Sequence, residues 1–338
     1  MKNSPVTIKD IARELRISAS TVSRALKDHP DISSETRNAV KELALKYNYQ
    51  PNAVALSLKQ RRTNTIGVII PEIIHYFFSS VISGIEDVAY NAGFNVIICQ
   101  SNEKYDREVV NVRTLLANRV DGILASITKE TLDYDHFYKI QESDVPLVFY
   151  DRVIPNFKAD QVIVDDLEAA YNATMHLIKG GRKKIVHFAG PQNLLIGQLR
   201  KEGYLKAMHE AGFKVSDKWI IEADNFEKAR IITLNLLEEK IEFDGIFAVN
   251  DLTAVGAMQT LLKRGIKIPK QVAVVGFSDG RMSGITDPAL TSVDQHGYEM
   301  GNIAAEMLLN RIKSNKSESP FEIKVLNTNL IVRGSSAF

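Results

Sequence analysis

The stretch TIKDIARELRISASTVSRAL, Thr7 to Leu26, decides the first domain. Ile8, Ile11, Ala12 and Leu15 fall at i, i+3, i+4 and i+7, one apolar face of a helix. Thr7 with Asp10 three residues on forms a capping arrangement at its start. Ile17-Ser18 breaks the pattern, and Ser18 can cap a second helix whose Val22, Ala25 and Leu26 face the first. Ser33 or Ser34 then caps a third, with Val40, Leu43, Ala44 and Tyr47 on its buried stripe, ended by Asn48-Tyr49-Gln50-Pro51. Three short helices of this kind predict a compact helix-turn-helix module. A further short helix, PNAVALSL from Pro51 to Leu58, marks a domain junction.

Charge points to the partner of that module. Residues 1–62 hold 12 Lys+Arg against 6 Asp+Glu, whereas the remainder holds 30 against 35. The overall net charge of +1 thus hides a basic head on an acidic body, and a basic head attracts phosphates. A chain of 338 residues suits a small module plus two domains of ordinary size. No apolar run reaches the roughly 18 residues of a membrane span, and MKNSPVTIKD lacks the apolar segment of a secretory signal, so a cytoplasmic protein is expected. The single cysteine, Cys99, lies in the apolar run NVIIC and reads as a buried, inert thiol.

From Asn64 the pattern changes to short apolar runs separated by helical stretches. Thr65–Ile70, Asn95–Cys99, Gly122–Ser126 and Pro146–Tyr150 read as buried strands, with helices around 77–92 and 106–118. Lys184–Ala189, Gly245–Val249 and Gln271–Phe277 form a second series, with helices near 166–179, 197–211, 226–239 and 252–264. Such alternation implies parallel sheets covered on both faces, and two series imply two lobes. Asn91-Ala92-Gly93-Phe94 and Glu210-Ala211-Gly212-Phe213 each stop a helix with glycine before a strand. Ligands of open α/β sheets bind beyond the carboxyl ends of strands, here Pro71–Phe78, Ser126–Thr128, Asp151-Arg152, Gly190–Gln192, Asn250-Asp251 and Ser278-Asp279.

Ten motifs in order carry a resemblance over essentially the whole chain: VTIKDIA from Val6, STVSRAL from Ser20, SSETR from Ser33, YQPNAVALSL from Tyr49, TIGVIIP from Thr65, VDGIL from Val120, AGP from Ala189, AVND from Ala248, VVGF from Val274 and LIVRG from Leu330. On these the chain resembles the LacI/GalR family of bacterial transcriptional regulators. The resemblance implies a small all-α helix-turn-helix DNA-binding domain and an α/β periplasmic-binding-protein-like core of two lobes with parallel sheets. It divides the chain into a headpiece at 1–50, a hinge helix and linker at 51–63, an N-terminal lobe at 64–163 plus 295–323, and a C-terminal lobe at 164–294 plus 324–338. The chain would cross between lobes near Ile163, Asp294 and Ile323.

The resemblance also implies site residues. Ala19, Ser20 and Arg24 match base-reading positions, with Arg24 dominant because Ala19 and Ser20 are small. Thr21, Ser23 and the Ser33–Thr36 segment match phosphate contacts, and Thr7, Ser18, Asn52 and Ala55 complete the set with Leu58, which matches a leucine wedged into the minor groove. The effector set is Phe77, Phe78, Asp151, Arg200, Asn250, Ser278, Asp279 and Gln295. One departure stands out: the family usually has an acidic residue directly after the Gly-Phe that ends its strand, whereas here Gly276-Phe277 is followed by Ser278-Asp279. The partners expected are an approximately palindromic double-stranded DNA operator, a small effector of carbohydrate type and a second copy of the chain, with no membrane, metal or cofactor. A purine, or a phosphorylated protein in place of the small ligand, is the alternative within this fold, and a pure solute-binding protein shares only the body. Catalytic signatures such as G-x-S-x-G, a P-loop or H-E-x-x-H do not occur, so a catalytic role is not expected.

Overall fold

The computed structural model describes residues 6–49, 62–314 and 320–338. Two compact units meet in sequence between Thr63 and Asn64.

The first unit contains α1 (Ile8–Glu14), α2 (Ala19–Ala25) and α3 (Ser34–Lys46). Its core is Ile11, Val22, Ala25 and Val40, all excluded from solvent. Each helix begins on a side chain that satisfies an orphan backbone donor or reaches back to one. Thr7 N–H donates to Asp10 Oδ2 at 2.9 Å, Ser18 Oγ accepts from Thr21 N–H at 3.0 Å, and Ser33 Oγ accepts from Thr36 N–H at 3.2 Å. Ser33, rather than Ser34, is therefore the cap of α3.

The second unit holds two six-stranded sheets. The first half runs β1 (Thr65–Ile70), α4 (Tyr76–Asn91), β2 (Asn95–Gln100), α5 (Tyr105–Ala117), β3 (Gly122–Ala125), α6 (Asp135–Glu142), β4 (Leu147–Tyr150) and β5 (Asp160–Val164). The second runs α7 (Asp166–Lys179), β6 (Ile185–Ala189), α8 (Leu195–Glu210), β7 (Ile220–Glu222), α9 (Phe226–Glu238), β8 (Gly245–Ala248), α10 (Asp251–Lys263), β9 (Ala273–Ser278), α11 (Arg281–Ile285) and β10 (Thr291–Asp294). The chain then returns through α12 (Gly297–Ser314) and β11 (Ile323–Leu326) before ending beyond β12 (Asn329–Ile331). Strand order is β11-β5-β4-β3-β1-β2 in one sheet and β12-β10-β9-β8-β6-β7 in the other. All pairings are parallel except β10 with β12.

α12, an element not anticipated from the sequence, belongs to the first sheet. Met300, Ala304 and Leu308 pack with Val81 and Ile85 of α4 over Ile66, Val68 and Val148. Glycines set how close the two helices lie: a Cβ on Gly84 would fall 2.2 Å from the Tyr298 carbonyl oxygen, and one on Gly301 would fall 2.1 Å from that of Val81. The two anticipated glycine stops share one geometry. Gly93 and Gly212 have φ of +77° and +76°, and the next residues, Phe94 and Phe213, donate back to Ala89 and Met208 at 2.9 Å.

Two expectations need correction. Asn95–Cys99 is not a buried strand: β2 is the sheet edge, so Ile97 and Ile98 are exposed and Cys99 is only half-buried. Burial still raises the Cys99 thiol's pKa, which suits an unreactive side chain. The third crossing also lies later than Ile323, because Ile323–Leu326 pairs with Gln161–Val164 of β5 and keeps the chain in the first sheet through Leu326.

Candidate functional site

In the head, Arg24 of α2 is exposed, while its backbone carbonyl accepts from Lys27 N–H at 3.1 Å and His29 N–H at 3.0 Å. Ser20 is also exposed, with its hydroxyl 2.7 Å from that of Ser18, which in turn lies 2.8 Å from Thr21 Oγ1. Ala19, matched to a base-reading position, is half-buried and packs against the head's core at the first turn of α2. The Thr7 hydroxyl is spent on Asp10 at 2.7 Å, and Ser33 donates to Thr36 Oγ1 at 2.9 Å. Ser23 is half-buried. Asn52, Ala55 and Leu58 lie outside the described residues.

In the body, a cavity of about 160 Å³ lies between the carboxyl ends of the two sheets. Seven of the eight expected effector residues line it: Phe77, Phe78, Asp151, Arg200, Asn250, Ser278 and Gln295. Phe77 and Phe78 open α4 edge to face at 5.3 Å and are buried, so they serve the core of the first lobe and the cavity wall together. Asp279 is the exception. Its carboxylate is committed to Arg333, at 2.5 and 3.1 Å, and it does not line the cavity, so it does not replace the acidic residue missing at Ser278.

Asp151 follows β4 in a left-handed backbone conformation, φ +58°, and is 6% exposed. Burial pushes its carboxyl up to about 6, against the opposing pull of Arg152 and Arg200. Gln295, which follows β10, joins the two sheets here: Ser278 Oγ donates to its Oε1 at 2.8 Å, and its Nε2 donates to Asp151 Oδ1 at 3.4 Å. Arg200 of α8 donates to Asp166 Oδ1 at 2.7 Å and to the Val249 carbonyl at 2.8 Å, with its guanidinium 3.7 Å from the Phe277 ring centroid. Asn250 caps α10 by accepting from Thr253 N–H at 2.9 Å, and it donates to the Asp224 carbonyl at 2.8 Å. One further lone pair and one further N–H of that amide remain for a ligand.

Several lining residues were not expected. Glu103 accepts from Arg152 Nη1 at 2.9 Å on both oxygens, while Lys129 crosses the cleft to Asp224 at 3.0 Å. Burial raises the Asp224 carboxyl, but donations from Lys228 and Lys129 outweigh it and hold the pKa below the ordinary value. Leu194, opposite, inserts into the first lobe's cluster with Ile127, Val153, Ile154 and Phe157. Glu103 and Asp224 follow β2 and β7 closely, so extending the strand-end rule to those two strands would have found them; β7, only three residues long, carries little signal of its own.

Among the described residues no group of three or more His, Cys, Asp or Glu is placed to hold a metal ion, and no helix is long and apolar enough to cross a membrane.

Comparison with known proteins agrees with both units. Residues 7–52 match the model for bacterial regulatory proteins of the lacI family, and residues 63–331 match that for periplasmic binding proteins and the sugar binding domain of the LacI family. Catabolite control protein A of Priestia megaterium is 34% identical over 90% of this chain and 91% of its own. The transcriptional repressor CytR of Escherichia coli strain K12 is 30% identical over 99% and 97%. Among solved structures, a LacI family transcriptional regulator from Enterococcus faecium with bound ribose is 28% identical, covering 81% of this chain and 98% of that one, with a TM-score of 0.70. A regulatory-type head and a ligand-binding-type body matched in one chain establish that this protein belongs to the LacI family of bacterial regulatory proteins, DNA-binding transcriptional regulators.

Proposed function

We propose that this protein is a homodimeric repressor whose affinity for an approximately palindromic operator is set by a sugar-sized ligand in the cleft of its body. The observation that carries the reading is the cavity itself: about 160 Å³, closed by Lys129 and Leu194, and lined by Asp151, Asn250 and Arg200 beside Phe77 and Phe78. That volume is below the roughly 300–1,000 Å³ of pockets for larger organic ligands, which favours a single small ring. Hydroxyl partners beside aromatic walls favour a sugar over a purine, and the ribose-bound relative is consistent with that class.

In the head, Arg24 is the residue proposed to read a base, by bidentate donation to guanine, with Ser20 beside it and Thr21, Ser23, Ser33 and Thr36 near phosphate. Dimer formation is supported by exposed apolar side chains of the first lobe, Ile97 and Ile98 on the edge strand β2, Tyr90 on α4, and Ile73 and Ile74 after β1. We assign the protein to the cytoplasm, where its operator lies, and give it a binding rather than a catalytic role.

Operator-binding titrations with and without sugars and purines, paired with calorimetry, test the proposal. A sugar should bind and shift operator affinity. A response to purines alone would reassign the effector, and a sugar that binds without moving operator affinity would remove the regulatory role.

A further inference from the structure

We propose that Glu108, a buried carboxylate outside the cavity wall, is the positioning residue that sets how the first lobe grips the second. It acts through the loop 127–131, which carries Lys129. This rests on the reading of the cleft as the ligand site and deepens it by naming a residue that regulates closure.

The loop after β3 lies outside any strand or helix, yet each backbone N–H from Ile127 to Thr131 finds an acceptor. Ile127 N–H donates to the Arg152 carbonyl and Thr131 N–H to that of Thr128, both at 3.3 Å. Glu130 N–H donates to Thr128 Oγ1 at 3.1 Å. Thr128 and Lys129 reach instead to carboxylates on the segment after β2. Thr128 N–H donates to Glu108 Oε2 at 2.7 Å, and Lys129 N–H donates to Glu103 Oε2 at 2.9 Å.

Glu108 holds more of the loop than that one bond. Its Oε1 accepts from the Thr131 hydroxyl at 2.7 Å and from His136 Nε2 at 2.9 Å. Glu108 has no solvent exposure, and Thr128, Thr131 and His136 are buried with it. One carboxylate thus ties the first turn of α5 to both sides of the turn at Lys129 and to the start of α6. A buried donor left without its acceptor is costly, so the loop holds the arrangement that satisfies all three.

The loop presents Lys129 to the other lobe. Its Nζ meets Asp224 Oδ2 at 3.0 Å, and its carbonyl accepts from Asn193 Nδ2 at 2.7 Å. Ile127 packs in one cluster with Leu194, but its N–H is held by Arg152 and not by Glu108. Glu108 therefore bears on the polar grip of Lys129 and leaves the apolar contact of Leu194 in place. Glu108, Thr131 and His136 lie outside the cavity lining, so altering them reaches the ligand through the loop.

Two variants test this in the full-length protein. Glu108→Gln puts an amide N–H2 where one carboxylate oxygen stood, so at least one of the three donors meets a donor. Thr131→Val removes a single tie and keeps Glu108, and it carries the test alone if thermal melts show that the first variant does not fold. Without ligand, hydrogen exchange should quicken in both variants at 128–131 and also around Asn193 and Asp224 of the second lobe. Calorimetry with D-ribose, D-glucose and cellobiose gives the second readout. A sugar that binds the wild-type protein should bind Glu108→Gln about two- to tenfold more weakly, and Thr131→Val about two- to threefold. In a Lys129→Ala, Asn193→Ala background, which lacks both polar ties, Glu108→Gln should bring no further loss. An equal loss in that background overturns the inference, as does unchanged sugar affinity in both variants or unchanged exchange around Asn193 and Asp224. Binding of none of the three sugars to the wild-type protein overturns the reading beneath it, and the ligand-free exchange then decides the inference by itself.

Discussion

Lys129 of the first lobe and Asp224 of the second are joined across the cleft, Nζ to Oδ2, at 3.0 Å. The same residue's carbonyl accepts from Asn193 Nδ2 at 2.7 Å, so one short loop after β3 holds the second lobe through both side chain and backbone. Lys129→Ala removes only the ionic part. A partly exposed pair of this kind is worth about 0.5–1 kcal/mol, so ligand affinity should fall about two- to fivefold. Small-angle scattering of the ligand-free protein should show a larger radius of gyration in the variant. Equal radii and equal affinities would mean that Leu194 and the backbone bond alone close the cleft.

Acid and base should act on stability through Asp151. Its carboxyl stands at about 6 in the fold against an ordinary 3.8, so between those values the folded chain binds more protons than the unfolded one. The stability that this group contributes is therefore fully present below about 4, falls as pH rises through 6, and levels off about one unit above, where the buried charge is nearly complete. Asp151→Asn should raise stability at pH 7 by about 1–3 kcal/mol. Asp251, also pushed to about 6 by burial despite donations from Ser292, Gly280 and Ser283, adds a slope of the same sign, so the variant should reduce the slope rather than abolish it. Denaturant titrations from pH 4 to 7 check this, and superimposable profiles would refute it.

Gly301→Ala places a methyl group against the Val81 carbonyl, 2.1 Å away in the present packing. α4 and α12 would have to separate, at a cost of about 1–3 kcal/mol. The melting temperature should drop by several degrees, at about 2–4 °C per kcal/mol for a domain of this size. Gly93→Ala is the useful comparison, since its Cβ meets nothing within 4 Å and its cost comes from the +77° φ alone.

In the head, Arg24→Ala should relax preference at one base position per half-site, with a loss of about 1–3 kcal/mol per contact on the preferred operator. Leu58→Ala should instead weaken operator binding while sparing salt-sensitive nonspecific binding. Binding measured on operator variants at two salt concentrations separates these outcomes. An unchanged base preference in Arg24→Ala would leave that side chain only a phosphate contact.

Much of this was legible in local sequence. Caps at Ser18 and Ser33, glycine stops at Gly93 and Gly212, and the apolar runs of the central strands are decided by neighbours within a few residues. α12 was not, because Gly297 and Gly301 weaken its helical propensity and their use appears only where α4 approaches. Ile97 and Ile98 read as buried because an apolar run cannot announce that its strand is a sheet edge. Strand ends identified Phe77, Phe78, Asp151, Asn250 and Ser278, whereas Arg200 and Gln295 came only from the family resemblance. The pairs that close and charge the site were beyond such rules: Arg152 with Glu103 spans 49 residues, and Lys129 with Asp224 spans 95. Asp279 was misread because its partner, Arg333, arrives from the far end of the chain.

Gln295 stands on the very segment by which the chain passes from β10 to α12, and it touches Ser278 of one sheet and Asp151 of the other. A molecule that takes over the Asp151 carboxylate therefore competes with a side chain anchored on the connecting backbone. Under the proposed function, ligand occupancy would bear directly on the backbone that links the two lobes, through a 3.4 Å contact to Asp151 that is long for a hydrogen bond.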